Sequence, residues 1–167
     1  MLFCGINPGL YSGATGHHFA RPGNRFWPAL HLSGFTPTQM SPFDETDLLD
    51  LRLGITNIVR RTTARADELT DEEVRRGAGT LARKIRRYEP RFVAVLGMQA
   101  YRLGFGRAKA RVGRQNHLVG SSVMWLLPNP SGLNAHYQLP DLAAAFEELR
   151  REAFPQADPQ ADPQADI

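Results

Sequence analysis

The chain has 167 residues, 42% hydrophobic and 22% charged, the balance of a folded globular domain rather than a disordered or fibrous one. No run approaches the roughly 20 apolar residues of a membrane span, and the opening MLFCGINPGL is too short and too poor in bases for a secretory signal. A cytoplasmic protein without a membrane partner is therefore expected. The single cysteine, Cys4, excludes an internal disulfide and a four-thiolate iron–sulfur centre.

The formal net charge is +3 and the pI about 9.4, compatible with a polyanionic partner. The last residues, PQADPQADPQADI, hold three of the 17 acids and no base, so the remainder of the chain carries +6. Proline-rich and nearly devoid of apolar side chains, this repeat predicts a disordered tail over 154–167, outside a single domain spanning 1–153.

In chain order, the first apolar run, residues 2–6, reads as a buried strand and leads directly into a glycine-rich loop over 7–24. A helix is expected over 24–32. A second strand at 55–59 precedes a loop at 60–70. Thr70 and Glu73 then form a capping box ahead of a helix over 71–88, whose Val74, Ala78, Leu81, Ala82, Ile85 and Tyr88 keep helical spacing. A third strand at 92–96 turns at Gly97 into a helix beginning at Met98. The run 104–117 is basic and short on acids, and reads as a phosphate-contacting or merely solvated loop. A fourth strand at 123–127 opens into a loop over 128–136. The last helix, about 140–151, places Leu139, Leu142, Phe146, Leu149 and Ala153 on one face.

The strand runs are continuous rather than alternating, as in parallel strands covered on both faces. Strands alternating with helices predict a three-layer α/β/α sandwich around a mostly parallel sheet. Ligands in such sheets bind at the carboxyl ends of the strands, which directs attention to the loops after each strand.

Two of those loops carry chemistry. GINPGLYSGATGHHFARPGNRFW, residues 5–27, has glycines that permit close backbone approach, Asn7 at the strand end, and the aromatic Phe19. Alone it would also suit a nucleotide-phosphate cradle, although it matches neither GxGxxG nor GxxxxGK[ST]. LPNPSGLNAH, residues 127–136, presents Leu133 on a tight turn, either as an incidental exposed leucine or as an apolar wedge that unstacks bases.

GINPGL (5–10), NRFW (24–27) and NPSGLN (129–134), with ITNIVRRTT (55–63) and LGMQAY (96–101) between them, resemble the mismatch-specific uracil-DNA glycosylases. That family is grouped with the thymine-DNA glycosylases in the uracil-DNA glycosylase superfamily. The similarity covers about residues 2–149. It implies a central four-stranded parallel sheet and an enzyme that flips uracil or a related mismatched base from double-stranded DNA, particularly opposite guanine. Such an enzyme hydrolyses the N-glycosidic bond as a monomer, with no cofactor, metal or obligate protein partner, in the cytoplasm or on the nucleoid. By the same resemblance Asn7 positions the attacking water and Phe19 stacks on the flipped base. The backbone of Ile6 and Phe19 would then contact the base edge, with Gly16, His17 and Asn129 as further pocket candidates, although His17 and His18 stand where the family carries less basic residues. Gly132, Leu133 and Asn134 form the wedge and meet the widowed guanine.

A neutral amide orients water but cannot take its proton. Asn7 alone therefore predicts a slow enzyme with tolerant base recognition, limited by release of its abasic product. Asp67, in RRTTARADELT, is the candidate general base, set against its reading as a loop or capping aspartate. His17 and His18 read either as partly exposed loop residues or as contacts to base or phosphate. Adjacent histidines without a suitably spaced Cys or acid do not favour zinc. The competing functions are a non-catalytic mismatch- or abasic-site-binding module and a small nucleotide-binding protein.

Overall fold

The computed structural model describes residues 1–155. It contains a five-stranded sheet in the order β2-β1-β3-β5-β4, built from β1 (Leu2–Gly5), β2 (Gly54–Asn57), β3 (Phe92–Leu96), β4 (Gly113–Val119) and β5 (Ser122–Leu127). Neighbours among β2, β1, β3 and β5 are parallel, so all four point their carboxyl ends at one edge. The expected four parallel strands are present, and the sheet count is corrected by β4, which runs antiparallel to β5 at the border. Its sequence GRQNHLV is polar because alternate side chains face solvent at an edge, with only Gly113 and Val119 buried. Pairing with β5, invisible in local composition, makes it a strand; the loop reading of the basic run holds only for residues 105–112, because Gly104 closes a helix.

Alternation within the strands divides the core in two. Phe3, Phe92, Ala94, Leu96, Trp125 and Leu127 face one layer, where they pack against α2 (Phe26–Leu32) and α5 (Leu139–Ala153). Cys4, Val93, Val95, Met124 and Leu126 face the other, against α3 (Asp71–Tyr88) and α4 (Met98–Gly104). Phe3 is the hinge of the first layer: it stacks on Phe146 at 5.8 Å and meets Phe26 and Phe35 edge-on at 5.4 and 5.3 Å. Burial pushes the Cys4 thiol far up from its ordinary range, leaving it an inert core group.

α3 begins and ends where its capping box and apolar spacing place it, with Val74, Ala78, Leu81 and Ile85 buried. Two short elements had no such signature. α1 (Leu10–Thr15) lies inside the first loop and leaves Leu10 and Tyr11 exposed, so no apolar stripe marks it. A 3-10 segment, Pro42–Leu49, is capped by Ser41 and buries only Leu48. Phe154 still packs edge-on against Phe35 at 6.1 Å. From residue 156 onward, the tail expected to be disordered lies outside the described residues.

Candidate active site at the carboxyl edge

The ends of β1, β2, β3 and β5 open into one cleft of about 610 Å³. Ile6, Asn7, Gly16, His17, Phe19, Asp67, Asn129 and Leu133 all line it, which brings together residues from three loops distant in sequence. Arg21, Arg60 and Arg65 line it as well, against the single acid Asp67, so the cleft favours an anionic partner.

Asn7 is fixed by its amide nitrogen. Nδ2 donates to the Arg61 carbonyl at 2.9 Å and to Thr63 Oγ1 at 2.8 Å, with a longer contact to the Pro8 carbonyl at 3.3 Å. A carbonyl can only accept, so these contacts decide which end of the amide is nitrogen. Oδ1 is left without a partner among the described residues, as an acceptor in a residue that lines the cleft. Thr63 in turn donates its hydroxyl to the Arg65 carbonyl at 2.7 Å, freeing a lone pair for Asn7.

The loop carrying Arg61 and Thr63 is itself tied down. Thr63 N–H donates to the Pro8 carbonyl at 3.1 Å, while Ile58 and Val59 N–H donate to the Gly5 and Ile6 carbonyls at 2.9 Å each. The Arg61 guanidinium reaches Glu73 through Nε at 2.6 Å and the Glu68 carbonyl at 3.0 Å. The Arg61 hydrogen bond, with the Thr70 backbone behind it, holds the Glu73 carboxyl down at about 2. Thr63 and Arg61 belong to the resembling segment ITNIVRRTT, but nothing in the sequence assigned either a role, because both lie more than fifty residues from Asn7.

Phe19 occupies left-handed backbone space at φ 53, a conformation that costs a non-glycine residue about 1–3 kcal/mol. One face of its ring stacks on Phe26 at 4.2 Å, so the opposite face is the one available to the cleft. Gly5 makes room for it, since a Cβ there would lie 3.0 Å from Phe19 Cζ and 2.5 Å from Asn57 Oδ1. The flanking amides are engaged, His18 N–H to Glu45 and Ala20 N–H to Ser12 Oγ. The Phe19 N–H between them has no acceptor among the described residues.

His17 and His18 converge on Glu45 of the 3-10 segment. His18 Nδ1 lies 3.0 Å from Oε2; His17 Nδ1 lies 3.5 Å from Oε1 and, although buried, forms no hydrogen bond. Among the described residues no three His, Cys, Asp or Glu side chains are grouped to hold a metal ion. Asp67 sits in the 3-10 turn Ala66–Glu68, exposed and paired with Arg65 through both carboxylate oxygens. The Arg65 hydrogen bond shifts its carboxyl below the usual aspartate range, so at neutral pH it is an ionised acceptor at the cleft wall.

The loop bearing Leu133 is braced from within and from the side. Asn129 Oδ1 accepts the Ser131 N–H at 3.0 Å, and the Asn134 amide spans the loop, donating to the Asn129 carbonyl at 2.9 Å and accepting the His136 N–H at 3.1 Å. Both ends of the Asn134 side chain are thus spent inside the loop. The Arg25 guanidinium donates to the carbonyls of Gly132, Asn134 and Tyr137 at 3.1, 3.0 and 2.7 Å. Gly132 has no alternative, because a Cβ would lie 2.7 Å from the Gly23 carbonyl oxygen. Leu133 itself is 74% exposed.

Of the remaining bases, Arg114 pairs with Glu152, while Arg75 and Arg76 pair with Asp71 and Glu72 one turn away on α3. A pinned amide, an aromatic ring and an exposed leucine lining one cationic cleft agree with what the family comparison finds. Residues 1–153 match the uracil DNA glycosylase superfamily, and the chain belongs to that superfamily.

Proposed function

We propose that this member of the superfamily is a monofunctional glycosylase acting on uracil and related bases mispaired with guanine in duplex DNA, working as a monomer without a cofactor. The observation that carries this reading is the orientation of Asn7, with Nδ2 consumed by Arg61 and Thr63 and Oδ1 left for a water proton. The flipped base stacks on Phe19, and the free Phe19 N–H donates to a base carbonyl. The C1′–N bond breaks as its electron pair leaves with the base. The base departs as an anion, which an N–H donor in a water-poor cleft stabilises. The water held by Asn7 adds its oxygen to C1′, and its proton passes to the Asp67 carboxylate or to bulk solvent. Leu133 fills the vacated stack, and the cleft arginines contact phosphate.

Alkali-revealed cleavage of labelled duplexes carrying G:U, A:U or G:T tests the reading. Cleavage at G:U that falls with Asn7→Ala supports it. Tight binding to G:U or abasic duplex without cleavage would replace it with a lesion-binding module.

A further inference from the structure

Phe19 is held in a disfavoured conformation by a carboxylate from a segment that the proposed chemistry does not otherwise use. Three groups of the preceding residue are anchored. The His18 N–H donates to Glu45 Oε2 at 2.8 Å, the His18 ring places Nδ1 3.0 Å from the same oxygen, and the His18 carbonyl accepts the Trp27 indole N–H at 3.2 Å. Glu45 lies 27 residues further along the chain, in the Pro42–Leu49 segment, with its side chain 18% exposed. A carboxylate withdrawn from water needs charge-assisted donors, and here both come from the residue before Phe19 rather than from a lysine or arginine.

Planarity of the peptide bond carries this restraint forward. The His18 carbonyl and the Phe19 N–H belong to one rigid plane and point in opposite directions. Anchoring His18 at its amide, ring and carbonyl therefore fixes the direction of the Phe19 N–H, the one amide of residues 18–20 without an acceptor among the described residues. The Ala20 N–H, tied to Ser12 Oγ at 3.0 Å, closes the turn from the other side. Because a carboxylate only accepts, it also selects the His18 tautomer with its proton on Nδ1.

We infer that Glu45 is a positioning residue for base recognition, presetting both the ring and the amide of Phe19 before a base enters. This rests on the glycosylase reading above. Preorganised donors need no rearrangement when the leaving base gains charge, so loss of the clamp is felt in the chemical step more than in holding DNA.

The test compares Glu45→Ala and Glu45→Gln in the full chain. Glu45→Ala is expected to lower the single-turnover rate on G:U duplex by about 30- to 100-fold, with duplex affinity within about twofold of the parent because no phosphate contact is touched. Glu45→Gln, which keeps an acceptor but not the charge, is expected to fall between. In ¹⁵N-labelled protein, the Glu45→Ala change is expected to abolish the single His18 tautomer pattern and move the Phe19 amide resonance while core amides stay in place. A rate within twofold of the parent, or a loss confined to affinity, overturns the inference. If the parent protein itself excises nothing, the glycosylase reading fails, and the resonances alone decide the clamp: an unmoved Phe19 amide sinks it. Should Glu45→Ala fail to fold, Glu45→Gln is judged by the same two readouts.

Discussion

The two rims of the cleft are built on opposite plans. On the β1 rim, Asn7 is immobilised by groups from another loop, and that loop is fastened to the start of α3 through Arg61 and Glu73. On the β5 rim, hydrogen bonds from Asn129, Ser131, Asn134 and Arg25 brace the loop while one apolar side chain, Leu133, stands exposed to solvent. The first plan suits a group that must aim a small molecule at one atom, where an error of about 1 Å costs about 10²-fold in rate. The second suits a group whose partner arrives from outside and must be met by a rigid projection. Rate and grip should therefore respond separately to changes on the two rims.

Asn7→Ala strikes the pinned rim directly and is expected to lower single-turnover excision at G:U by about 10²-fold or more, with binding to an abasic duplex unchanged. Equal losses in both would mean that the two rims do not divide the work. Asp67→Ala comes next: if its carboxylate takes the water's proton, as proposed, the change lowers excision by about 10²-fold, and an unchanged excision rate would return it to the role of a surface partner for Arg65. Leu133→Ala is expected to cost about tenfold on duplex, from partial burial of its side chain in the stack. Single-stranded substrate and melting temperature should be unaffected, since the side chain is exposed in the free protein. Thr63→Val keeps the shape and removes one hydrogen bond to Asn7, for a loss of about 5- to 10-fold. Its rate falling as far as that of Asn7→Ala would show that the threonine does more than hold the amide.

The smallest effect is pH-dependent. Glu73 has its carboxyl depressed to about 2, so its tie to Arg61 is fully present above the ordinary glutamate range and is lost as pH falls through 2. Between pH 5 and 3 the parent should keep slow amide exchange around Arg61 where Glu73→Gln does not. Identical exchange in the two proteins would remove this brace from the account of the pinned rim.

What the sequence disclosed and withheld follows the range of the interactions involved. The four parallel strands and α3 were legible because apolar runs and the Thr70–Glu73 capping box are local signals. β4 was not, because its strand character comes from pairing with β5. α1 was missed because it buries too little to leave a stripe. In the site, Asn7, Phe19 and Leu133 were visible as members of motifs. Glu45 lay in no motif, and Thr63, though it ends the ITNIVRRTT segment, had no legible role, because their partners lie 27 and 56 residues away and polar residues in loops carry no mark of whom they will meet. Even Arg25 stood within a recognised motif without betraying that its guanidinium faces the other end of the chain.

That last residue has a consequence for redesign. Arg25 spends its guanidinium donors on three carbonyls of the Leu133 loop, its own N–H donates to the Pro130 carbonyl, and Gly23 touches Gly132 backbone to backbone. The segments 23–25 and 129–137, more than a hundred residues apart, thus behave as a lock and its key. A graft that exchanged the leucine-bearing loop alone would leave the Arg25 guanidinium facing carbonyls it was not cut for. The smallest portable cassette is the two segments together.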